Sequence, residues 1–72
     1  DYPGKGIALK TQYVWGQQFN SEINVVYGNE WNAGNLSYHL KSRPVWKGPV
    51  KREKLDQLKD YICLDSVCVG SK

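Results

Sequence analysis

Odd-numbered positions from residue 7 to residue 15 hold Ile7, Leu9, Thr11, Tyr13 and Trp15, with Ala8, Lys10, Gln12 and Val14 between them. That period-2 spacing predicts a half-buried strand over residues 7–16, followed by turn residues from Gly16 to Ser21. Ile23, Val25 and Tyr27 alternate with Glu22, Asn24 and Val26, which predicts a second strand over 22–27, rich in the β-branched residues that suit a pleated surface. Residues 28–34 read as a polar Gly/Asn loop carrying one large aromatic, Trp31. Leu36, Tyr38 and Leu40, alternating with Ser37, His39 and Lys41, predict a third strand. Val45 and Trp46 lie between Pro44 and the Gly48-Pro49 pair, so any strand there is short and at an edge, where proline is tolerated. Ahead of all this, Pro3, Gly4 and Gly6 mark residues 1–6 as an irregular arm.

From Lys51 the period changes. Leu55, Leu58 and Ile62 recur at i, i+3 and i+7 among helix-favouring Glu, Lys and Gln, predicting an amphipathic helix over 51–62, although no good N-cap residue precedes it. The expected fold class is therefore mainly β. It is a small antiparallel sheet of three to five strands with one C-terminal helix over 51–62, or a β-sandwich if that stretch is strand.

Seventy-two residues leave room for a single domain over 1–72, because a chain of this size buries only about 60% of the surface it exposes when unfolded. Such a scaffold commonly needs a staple, and the two cysteines are the candidate. If Asp65-Ser66 forms a two-residue hairpin turn, Cys63 faces Cys68 at a distance a disulfide accepts. The closed ring is short and would add about 2 kcal/mol, enough to pin the tail. Five residues apart, the pair does not make a zinc site, and it lacks the Cys-x-x-Cys spacing of a redox centre. Neither a metal nor a cofactor is expected. No apolar run approaches the roughly 20 residues of a membrane span, and a chain starting at Asp1 with no methionine reads as a mature secreted product or an excised domain.

Charge adds one localised feature. The formal net charge is +3, yet Lys41, Arg43, Lys47, Lys51, Arg52 and Lys54 stand against Glu53 alone, a net +5 within fourteen residues. With Trp46 among them, these cations could meet an acidic protein, or phosphates with an aromatic stacking on a base. Trp31, in its polar loop, is the aromatic expected to be exposed and to anchor an interface. Binding residues are thus Trp31, Arg43, Trp46, Lys47, Lys51 and Arg52. Catalysis has little to stand on: His39 is the one histidine, and only a pairing with Glu22 or Glu30 would imitate the acid and base of a small ribonuclease. Asn35-Leu36-Ser37 matches the N-glycosylation pattern, an incidental match inside a strand.

In size, β-rich patterning and a single cysteine pair, the chain resembles small secreted fungal effectors of the MAX type, built from two packed three-stranded sheets. That resemblance implies a non-enzymatic virulence protein, delivered into a host, that binds host proteins and is recognised by immune receptors. The expected function is that of a secreted, monomeric effector or toxin-like protein that binds a host or target protein through a basic, aromatic surface. A nucleic-acid-binding module is the first alternative, and a small secreted inhibitor or ribonuclease-like protein the second.

Overall fold

A computed structural model describes residues 4–64 and 66–72. Residues 1–3 of the irregular arm expected over 1–6 lie outside the described residues, as does Asp65 of the expected turn, while residues 4–6 of that arm are helix. In chain order the elements are α1 (Gly4–Gln18), β1 (Val25–Tyr27), α2 (Glu30–His39), β2 (Val45–Trp46), α3 (Arg52–Leu55), β3 (Asp60–Leu64) and β4 (Val67–Ser71). Helix takes 41% of the chain and strand 23%, so the expectation of a mainly-β fold is overturned in favour of a mixed one.

The stretch expected to be the first strand is helix. Ala8, Thr11 and Trp15 are buried, at i, i+3 and i+7, and Ile7 and Phe19 pack beside them on the same stripe. Leu9 and Tyr13 made the alternation look strand-like, yet they are 67% and 69% exposed on the opposite side of the helix. The expected third strand is helix for the same reason. Ala33, Leu36 and Leu40 form the buried stripe of α2, and Tyr38, which completed the false alternation, faces water. Asn29 starts this helix, its side-chain Oδ1 accepting from the Asn32 backbone N–H at 2.7 Å. The glycosylation pattern at Asn35 therefore falls on a helix, where the Asn35 amide donates to the Trp31 carbonyl at 2.6 Å.

The expected C-terminal helix survives for four residues. Lys51 makes no side-chain cap, and after Leu55 the chain tightens through two i→i+3 bonds, from Gln57 to Lys54 and from Leu58 to Leu55. From Asp60 it pairs instead with β4 across five residues, Asp60↔Ser71 to Leu64↔Val67. Backbone pairing with a neighbouring strand, together with the β-favouring Tyr61 and Ile62, outweighs the helical spacing of Leu55, Leu58 and Ile62. The readings at 22–27 and 45–46 fare better: strand forms at Val25–Tyr27 and at Val45–Trp46, the latter at the edge.

The four strands lie in the order β2-β1-β4-β3. β1 pairs antiparallel with β4 but parallel with β2, in the register Val25↔Val45. A parallel neighbour needs a crossover, and α2 supplies it. The sheet is therefore mixed rather than antiparallel, and among the described residues no second sheet stacks on it. Side chains alternate across it: Val26, Val69 and Ile62 share one side with α1 and α2, while Val25, Tyr27 and Cys68 face the other, under Leu55 and Leu58. Cys63 and Cys68 are in register on β3 and β4 and are joined by a disulfide, as the cysteine spacing suggested.

Among the described residues, two buried side-chain hydroxyls have no hydrogen-bond partner, those of Thr11 and Ser37. Thr11 is 1% exposed, and its hydroxyl has no hydrogen-bond partner although it lies among Ile7, Leu36, Val67 and Val69. A buried unpaired hydroxyl carries a desolvation cost of about 1–3 kcal/mol, which an isosteric methyl does not. Thr11→Val should stabilise the domain by about 1 kcal/mol, raising its melting temperature by roughly 4–8 °C. A lowered melting temperature in a thermal scan would show that the hydroxyl is satisfied after all.

Candidate binding surface

The basic segment runs from one layer of the molecule to the other by way of the sheet edge. Lys41 and Arg43 follow α2 on the helical side, Trp46 and Lys47 lie on and just after the edge strand β2, and Lys51, Arg52 and Lys54 sit on or beside α3, beyond the opposite side of the sheet. All six cations are exposed, as is Glu53. They form a band around the β2 edge rather than a patch on a single flat face.

The band is held at several points. Val45 and Lys47 donate their backbone N–H groups to Asn24 and Val26 of the β1 segment, both at 2.9 Å. The Trp46 indole N–H donates to the Gly28 carbonyl at 2.9 Å, fixing a ring that is still partly open to water. Arg43 occupies the left-handed region, φ 49°, uncommon for a side chain of its size. Its N–H bonds to the Leu40 carbonyl at 3.1 Å, and its guanidinium lies over the Tyr38 ring, 4.7 Å from the centroid. Such a cation–π contact is worth about 0.5–1 kcal/mol at an exposed site and orders the side chain. The Tyr38 and His39 rings stand nearly perpendicular to each other, with their centroids 5.3 Å apart.

Trp31 stands apart from the band. It is on the first turn of a helix rather than in a loop, and 64% exposed. Seven residues on, Tyr38 is equally exposed, and the two flank an open groove lined also by Glu30, Gly34 and Asn35. Tyr38 is the residue that sequence reasoning missed. Asn29 as an N-cap ahead of the Ala33, Leu36, Leu40 spacing was the signal that would have placed it beside Trp31 on a helix.

Two chemical arrangements weighed on sequence can be located. Glu30 and His39 sit at opposite ends of α2, nine residues and so about 13 Å apart along the axis, beyond direct hydrogen-bond reach of each other. Among the described residues, no group of three or more His, Cys, Asp or Glu could hold a metal ion. Nor, among them, is any helix long and apolar enough to cross a membrane.

What these features define is a small mixed α/β domain with a disulfide-clipped hairpin and a cation-lined sheet edge. Comparison with protein-family models, curated proteins and solved structures finds no match in any of the three.

Proposed function

We propose that this is a secreted, non-enzymatic binding protein of the effector or toxin-like kind, and that it engages an acidic target protein through the β2 edge. Arg43, Lys47, Lys51 and Arg52 supply the attraction and Trp46 the anchor. The observation that carries the reading is the exposure of all six cations of residues 41–54 around one strand edge, with a tryptophan ring pinned among them. Complementary potential steers association and selects partners, while an immobilised aromatic contributes contact area at low entropic cost. Trp31, on the helical layer, belongs to a different surface.

Reversing two charges tests it. A Lys51→Glu, Arg52→Glu variant should keep its circular dichroism spectrum and melting temperature, since both side chains are exposed. It should lose most of its capture of acidic proteins in cross-linking pull-downs, and wild-type capture should weaken between about 50 and 200 mM salt. Unchanged capture by the reversed variant would refute the proposal. Tight binding to oligonucleotides with a steep salt dependence, and no protein capture, would favour nucleic acid in its place.

A further inference from the structure

Helix α1 is apolar on two sides. One stripe, Ala8, Thr11 and Trp15, is buried. On the opposite side Leu9 and Tyr13 follow each other by about one turn and are 67% and 69% exposed. Both lie outside the two buried clusters of the fold. A helix that covers a core with one face normally turns polar side chains outward.

The charges of α1 are placed without regard to its own stability. From Gly4 to Gln18 the helix holds Lys5 and Lys10 and no acidic residue, and its last turn has no basic one. A lysine at the second helical position opposes the macrodipole, which favours carboxylates in the first turn and cations in the last. What the helix faces accounts for these lysines better than the helix does.

Geometry groups cations around the apolar pair. Leu9 shares a groove with Ala8, Gln12, His39, Leu40 and Lys41, which sets Lys41 on one side of it. The 3.6-residue turn puts Lys10 on the other side, away from that groove. Both lysines are exposed, and the exposed Gln12 and Gln17 beside them are neutral. The acidic side chains among the described residues stand elsewhere: Glu22 in the loop beyond the end of α1, Glu30 at the start of α2, Glu53 and Asp56 at α3 beyond the sheet, and Asp60 at the start of β3.

Charge complementarity selects the occupant. A second copy would set lysine against lysine across a two-fold contact. An anionic bilayer surface meets the cations with its phosphate and carboxylate headgroups, while a leucine and an amphipathic tyrosine suit the boundary between headgroups and acyl chains. A convex ridge of two apolar side chains enters that soft boundary as it stands, whereas a folded acidic protein would need a matching cavity.

We infer that the outer face of α1 is a peripheral docking surface for anionic lipid bilayers, with Leu9 and Tyr13 entering the interface and Lys10 and Lys41 at the headgroups. None of these four residues is among those assigned to the acidic target.

The test is co-sedimentation of the 72-residue chain with vesicles of equal parts phosphatidylserine and phosphatidylcholine, or of phosphatidylcholine alone. Partitioning should be at least about tenfold stronger onto the anionic vesicles. The Leu9→Gln, Tyr13→Gln variant keeps the net charge of +3 and, both side chains being exposed, the melting temperature, yet should partition about tenfold more weakly. Lys10→Glu should weaken partitioning at least about fivefold. Lys51→Glu, Arg52→Glu reverses two charges, but beyond the sheet and more than a screening length of about 8 Å away, so it should lose less than Lys10→Glu does. That variant separates this inference from the acidic-target reading, whose capture it removes. Binding that depends on Lys51 and Arg52 but not on Leu9, Tyr13 and Lys10 would overturn the inference, as would equal binding to both kinds of vesicle or binding to neither. Soluble polyglutamate that shifts the amides of residues 8–13, with no vesicle binding, would assign the face to an acidic protein instead.

Discussion

Trp15→Ala should abolish cooperative folding near room temperature or lower the melting temperature by more than about 15 °C. Trp15 is the largest fully buried side chain, 1% exposed, with the Phe19 ring 4.5 Å away. Its indole N–H donates to the Ser21 carbonyl, and so ties the end of α1 to the segment that enters β1. Ser21 in turn meets Ser71 of β4, hydroxyl to hydroxyl, at 3.1 Å. Truncating a buried tryptophan costs about 3–5 kcal/mol, against a total stability of roughly 4–11 kcal/mol for 72 residues. Trp15→Phe separates packing from hydrogen bonding. It keeps a ring but leaves the Ser21 carbonyl without its indole donor, so an intermediate loss of about 1–3 kcal/mol is expected. Chemical denaturation of the three proteins measures all of this. An Ala variant as stable as wild type would mean that α1 is not packed through Trp15.

The second large effect is expected at Gly70, the next-to-last residue of β4. A Cβ there would lie 2.5 Å from Leu58 Cδ1, 2.7 Å from the Asp60 backbone oxygen and 3.1 Å from Tyr61 Cβ. Leu58 can rotate away, but the Asp60 oxygen belongs to β3, whose ladder to β4 is fixed at five positions. Gly70→Ala should therefore destabilise the domain by about 2–3 kcal/mol, the cost of overpacking a tight site, and lower the melting temperature by roughly 10–20 °C. Glycine in a strand is usually a weakness. At this position it lets the Leu58 turn lie directly on the sheet and closes the small cluster of Val25, Tyr27, Leu55 and Cys68. A thermal scan showing no change would mean that the 56–59 turn does not rest on β4.

The site divides along similar lines. That residues 41–54 would be cation-rich and solvated was legible, because six charges in fourteen residues cannot all be buried. Their course around the β2 edge was not, since it depends on α2 crossing back to place β2 parallel to β1. Trp31 was expected to be exposed, and it is. Its companion Tyr38 was assigned to a strand, and without the helix nothing in the sequence sets those rings side by side.

By itself the sequence determined several features. The strand at Val25–Tyr27 is an unbroken β-favouring run, the edge strand at Val45–Trp46 is bounded by prolines, and the facing cysteines follow from a tight turn. Tertiary structure decided the rest. Residues 7–16 and 36–41 carry apolar side chains that satisfy a period of 2 and a period of 3.6 at once, so the choice rests on which subset is covered. The sheet buries Ala8, Thr11, Trp15, Ala33, Leu36 and Leu40 and leaves Leu9, Tyr13 and Tyr38 in water. Residues 60–64 were settled the opposite way: their helical spacing lost to β4, which offers backbone partners that an uncapped helix in water cannot match.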